Sequence, residues 1–153
     1  MFNLFSKQPV KLVRHQFKNL SIDLPFNWHY EMEEADQEAC FDPTSNSTLR
    51  INIIMAIPPD GLTTSDRLKI LTNNQSFVTT TKEYFLTEPL YSESIESGQN
   101  ITLISWKLIN NTNHDTIIAI LAYTVLTAKL NSKKEKDFLS LIENSLRSAD
   151  LSR

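Results

Sequence analysis

Thr116-Ile117-Ile118-Ala119-Ile120-Leu121-Ala122-Tyr123-Thr124-Val125-Leu126-Thr127-Ala128 reads as a strand with two apolar faces. Its odd positions place Ile117, Ala119, Leu121, Tyr123 and Val125 on one side. Its even positions place Ile118, Ile120, Ala122, Thr124 and Leu126 on the other. A strand apolar on both sides belongs inside a sheet that is covered on both faces. Upstream, Asn110 to Asp115 is rich in turn formers and predicts a hairpin loop. Ile101 to Ile109 is then the partner strand, with Trp106 on its core face. Gly98-Gln99-Asn100 is a turn, and Tyr84 to Ser97 is one strand or two broken at Pro89. Downstream, Ser132 and Glu135 have capping-box spacing. They open a helix from about Lys133 to Ser148 with an apolar stripe of Phe138, Leu139, Leu141, Ile142 and Leu146.

The N-terminal half supplies more strands. Leu49 to Ile57 alternates strongly and stops at Pro58-Pro59-Asp60-Gly61. Thr63 to Ser65 offers helix caps, and Leu68, Leu71, Gln75 and Val78 at helical spacing predict a helix reaching about Thr80. Leu20, Ile22, Leu24 and Phe26 alternate with polar residues as a half-buried strand that Pro25 ends. Trp28 to Glu33 and Glu38 to Asp42 are two further strands. Residues 1–16 form either an N-terminal arm or a short helix. The order is strands, helix, strands, helix, joined by hairpin-length connections. It predicts an α+β fold: a three-layer α/β/α sandwich with a mainly antiparallel central sheet flanked by two main helices. No linker or repeat divides the 153 residues, so the chain reads as a single domain.

Composition excludes several functions. Average usage would give roughly eleven glycines; the chain has two, Gly61 and Gly98. A dinucleotide fingerprint needs three at fixed spacing and a P-loop needs two, and neither pattern exists here. A G-x-S-x-G nucleophile elbow is also absent. Cys40 is the only cysteine, so a cysteine-rich zinc site and an internal disulfide are excluded. The first residues lack the apolar core of a signal peptide, and the run Ile117 to Ala128 is too short to span a bilayer. These features predict a cytoplasmic protein with no membrane partner.

The net charge of −3 conceals a segregation. Residues 1–22 carry Lys7, Lys11, Arg14 and Lys18 and no acid. Residues 23–49 carry Asp23, Glu31, Glu33, Glu34, Asp36, Glu38 and Asp42 and no Lys or Arg. The acidic block is either a solvated hairpin neutralised by the basic N-terminus or a surface for a basic partner. No basic stripe with interleaved aromatics exists, so nucleic acid is not an expected partner.

Trp28-His29-Tyr30-Glu31 is the most chemically dense tetrapeptide. In one reading Trp28 and Tyr30 pack inward while His29 and Glu31 are solvated. In the other, His29 and Glu31 share a strand face as an acid/base or metal pair. His15, His29 and His114 lack metal-ligand spacing, and the acids from Glu31 to Glu38 lack EF-hand spacing and its glycine. Cys40 reads as a small buried side chain, because no sequence neighbour would activate its thiol. No catalytic, cofactor or metal residues are therefore assigned. The partner-binding candidates are Trp28, His29, Glu31, Glu33 and Glu34.

Ser21-Ile22-Asp23-Leu24-Pro25-Phe26-Asn27-Trp28 resembles the strand, Leu-Pro, x-x-Trp opening of the PsbP-like superfamily. That group includes the Ran-binding Mog proteins, and this chain is most similar to its bacterial members of unassigned function. The order of elements agrees over residues 17–149. The resemblance implies a non-catalytic binding or accessory protein acting through protein–protein contacts. Two alternatives stand beside it: a small-molecule or metal-binding domain, or an enzyme, around Trp28, His29 and Glu31, and an immunity-type protein that binds a basic toxin.

Overall fold

The computed structural model describes residues 10–57, 60–111 and 115–152. In chain order the strands are β1 (Leu12–Phe17), β2 (Leu20–Pro25), β3 (His29–Glu33), β4 (Gln37–Phe41) and β5 (Thr48–Ala56). Helix α1 (Thr64–Leu71) follows, then β6 (Phe77–Thr79), β7 (Phe85–Thr87), β8 (Leu90–Glu96), β9 (Gln99–Asn111) and β10 (Thr116–Leu126). Helix α2 (Lys133–Arg147) and the short β11 (Asp150–Leu151) close the chain. The architecture is the α+β sandwich expected from the sequence, and every strand pairing among the described residues is antiparallel.

The large sheet runs β3-β4-β5-β10-β9-β7-β6, with β8 also paired to β9. The doubly apolar strand, β10, sits inside it, paired to β9 and β5 along its length. Its odd positions, Ile117 to Val125, are fully buried. They meet α2, through Ile142 and Leu146, and the small sheet β1-β2-β11, through Leu20, Ile22, Leu24 and Leu151. On the second face Ile118 is buried while Ile120 and Ala122 are half-buried. Helix α1 meets the chain from that side, where Lys107 Nζ donates to the Leu71 carbonyl at 3.1 Å. A cation at the last turn of a helix complements its dipole.

Helix α1 is shorter than its apolar spacing predicts. It stops at Leu71 because Asn73 and Asn74 take left-handed backbone (φ 53° and 60°), which asparagine tolerates better than most residues. Phe77 and Val78, expected on the helix, pair instead with β7. The β-branched Val78 and Thr79 suit the pleated strand better than a helix.

The stretch expected as an arm or short helix also differs. Residues 1–9 lie outside the described residues, but Leu12–Phe17 is a strand paired with β2. Its Val13, His15 and Phe17 recur every second residue, which is a strand period. His114, and the Pro58-Pro59 part of the expected stop, likewise lie outside the described residues. Pro25 does end β2, and Pro89 separates β7 from β8.

The start of α2 is fixed by a buried carboxylate. Ser132 Oγ accepts from the Glu135 N–H at 3.3 Å, one half of the expected capping box. The Glu135 carboxylate turns into the core, where it accepts from Ser47 Oγ and Tyr123 Oη, both at 2.7 Å. The positive end of the helix dipole favours a carboxylate there. The Tyr123 hydroxyl is pushed well above its ordinary range by burial and by its bond to Glu135. Beside it, Asp42 accepts from Thr44 N (2.9 Å) and Thr44 Oγ1 (2.8 Å) and lies 3.6 Å from Lys134 Nζ. Burial pushes the Asp42 carboxyl up, but the Thr44 bonds and Lys134 outweigh it and hold the group below its usual range.

Tyr123→Phe leaves a buried carboxylate short of a donor and is expected to cost ~1–3 kcal/mol in urea unfolding. Leu121→Ala opens a cavity at the centre of β10 and is expected to cost ~2–5 kcal/mol. Asp42→Asn is expected to destabilise the protein at neutral pH. Its deficit relative to wild type should shrink as pH falls below about 4, because a depressed carboxyl contributes stability only while ionised.

Candidate functional site

Strand β3 forms one edge of the large sheet, paired only with β4 among the described residues. Period-two alternation sorts its side chains. Tyr30 points toward the small sheet, and Trp28 just before it is only 4% exposed. The Trp28 ring meets Phe138 of α2 edge-on, centroids 5.5 Å apart. His29, Glu31 and Glu33 stand on the opposite, exposed side, His29 beside Phe41. The tetrapeptide thus follows the inward/outward reading: Trp28 is a core residue, and the structure does not bring it together with His29 and Glu31. Trp106 is in the core as well.

The chain neutralises most of its own acidic block. Arg14 and Lys18 of the N-terminal segment reach Asp23 (3.1 Å) and Asp36 (3.7 Å). His15 bonds Glu38. Arg50 of β5 holds Glu33 through two contacts, at 2.8 and 3.5 Å. Its guanidinium lowers the Glu33 carboxyl below its usual range; burial opposes it, and the Gln37 amide adds to the lowering. Asp42 has Lys134. Glu31 and Glu34 remain, exposed and without an ion pair among the described residues. Met32, 59% exposed, lies between them.

Beneath this edge lies a cluster that sequence spacing did not indicate. Glu38 and Cys40 are two apart on β4 and share its inner face. Tyr30 lies opposite Cys40 in register. His15 enters from β1, stacks on Tyr30 with centroids 3.8 Å apart and planes 12° apart, and bonds Glu38 through Nε2. The Cys40 thiol donates to the same Glu38 oxygen at 3.5 Å. Cys40 is fully buried, as expected from the sequence. Burial first, and then Glu38, push its thiol far up. Burial disfavours the thiolate on which nucleophilic attack depends. Burial, with Cys40 and Glu38 nearby, pushes the Tyr30 hydroxyl up to about 12. The signal that would have found His15 is the Val13/His15/Phe17 period, which reads as a strand with histidine on its inner face.

Among the described residues no helix is long and apolar enough to cross a membrane. The sequence matches no protein-family model and no curated protein. Solved structures do share its fold. A protein of Bacteroides thetaiotaomicron superposes with a TM-score of 0.61 at 18% identity; the match covers 94% of this chain and 49% of that one, so this chain spans about half its length. The Ran-binding protein Mog1p of Saccharomyces cerevisiae gives 0.56 at 12% identity, covering 94% of this chain and 96% of that one. LpqN of Mycobacterium tuberculosis, involved in cell envelope biogenesis, gives 0.55 at 11% identity, covering 97% and 88%. At these identities the likeness is one of fold. The chain therefore shares its fold with Mog1p and LpqN, in the order of elements read from its sequence.

Proposed function

We propose that the chain is a non-catalytic binding or accessory protein that holds a basic protein partner along the edge that β3 forms among the described residues. The observation that carries this reading is the pair Glu31 and Glu34. Five of the seven acids between residues 23 and 49 are bonded by the chain's own cations or by His15. The two without such a partner among the described residues are both exposed, Glu31 on β3 and Glu34 just past its end. An exposed edge presents unpaired backbone groups to any incoming strand or loop. Like charges opposite one another are unfavourable, so a second β3 is repelled while a basic segment is attracted. Edge and charge thus select the same class of partner.

The fold supports this class of function. Mog1p shows that this architecture serves as a binding protein in at least one case. A basic toxin, as an immunity-type protein would hold, is one partner of the required chemistry. The reading that places a ligand among Trp28, His29 and Glu31 loses support, since Trp28 faces the core and the other two face solvent.

Tagged protein captured from its native lysate is expected to bring down a stoichiometric basic partner in low salt. Binding should weaken as salt rises, because exposed charges are screened over about 8–10 Å at physiological ionic strength. Glu31→Lys/Glu34→Lys is expected to lower the association rate at least ~10-fold without changing the urea midpoint. Unchanged binding by that variant, or no partner in either sample, overturns the proposal.

A further inference from the structure

We propose that His15, Glu38 and Cys40 form a zinc site that pins the small sheet to the large one. Their ligand atoms lie within 4.8 Å of one another. Imidazole, carboxylate and thiolate are the three side-chain types that zinc takes. A tetrahedral ion with bonds of ~2.0–2.3 Å sets its ligand atoms roughly 3.3–3.7 Å apart. Cys40 Sγ and Glu38 Oε1 already stand 3.5 Å apart. His15 is closer to Glu38 than that, and a small outward movement of the imidazole, on an edge strand of the small sheet, admits the ion.

Charge and burial agree with this assignment. The Cys40 side chain is fully buried, and those of Glu38 and His15 are 10% and 15% exposed. One thiolate and one carboxylate balance a divalent cation, so the loaded site buries no net charge, which is the condition for burying ions at tolerable cost. On binding, the Cys40 S–H bond breaks, and its proton leaves to solvent by way of the partly exposed Glu38 carboxylate that it already faces. The bond between His15 and Glu38 gives way, and Nε2, with the ring proton carried on Nδ1, and the carboxylate oxygen turn to the ion as ligands. The part of His15 open to solvent allows water to take the fourth position.

Tyr30 is a second, independent sign. Its ring stacks on His15, yet its hydroxyl is buried with no hydrogen-bond partner among the described residues. Buried hydroxyls are nearly always bonded. A water held on zinc would supply the missing partner. The same set does not suit a cysteine nucleophile, because the thiol donates to a carboxylate and solvent does not reach Sγ.

The test uses the full chain, stripped of metal, and Co2+ followed by Zn2+ as probes. It does not depend on the partner proposed above. One equivalent of Co2+ is expected to give the near-ultraviolet absorption of a cobalt–thiolate bond, and Zn2+ should displace it and raise Tm. Cys40→Ser should abolish that absorption, and both Cys40→Ser and His15→Gln should weaken zinc binding more than ~100-fold, above the loss typical of outer-shell changes. Cobalt bound without the thiolate band, no cobalt bound, or zinc affinity in Cys40→Ser within ~3-fold of wild type overturns the site. If a variant does not fold, the band in the wild-type protein decides alone.

Discussion

Strand β10 has no free edge. Its backbone is satisfied by β5 on one side and β9 on the other, over nearly its whole length. That arrangement obliges its inner side chains to find cover, since an apolar row at the middle of a sheet cannot turn toward water. The cover comes from α2 and the small sheet, and their positions follow. Glu135 then fixes where α2 begins, by accepting from Tyr123 of β10 and Ser47 ahead of β5. The two sheets are joined again where the Asn110 side-chain amide of β9 donates to the Leu151 carbonyl of β11 at 2.7 Å.

Much of this was legible in the sequence, because a strand writes its period into adjacent residues. The two faces of β10, the alternation of β5 and β2, and the capping spacing at Ser132 and Glu135 are all local signals. What failed was local pattern without its context. Phe77 and Val78 extend the apolar stripe of Leu68 and Leu71, and only the left-handed backbone at Asn73 and Asn74 shows that they belong to another element. Ser132 and Glu135 have the spacing of a reciprocal cap, yet the carboxylate is drawn away by a tyrosine and a serine that no window around it contains.

The candidate surface divides along the same line. The acidic block was visible as a run of like charge, and Arg14 and Lys18 meet it as the reading of a basic N-terminus over a hairpin expected, whereas Arg50 and Lys134 are brought near only by the fold. The inward turn of Trp28 followed from alternation with His29. The His15, Glu38 and Cys40 cluster did not, because His15 belongs to a different sheet and its distance from Cys40 along the chain carries no spacing signal.

The small sheet also has an order of assembly imposed on it. Leu20 and Ser21 of β2 pair with Leu151 and Asp150, from opposite ends of the described chain. During synthesis at ~5–20 residues per second, β2 emerges on the order of ten seconds before this partner exists. α2, which covers the same apolar residues, emerges only shortly before β11 does. For that interval the side chains of Leu20, Ile22 and Leu24 have none of their final neighbours from α2 or β11. The nascent chain therefore presents an apolar hairpin, β1 with β2, whose cover arrives only once α2 and β11 have been made.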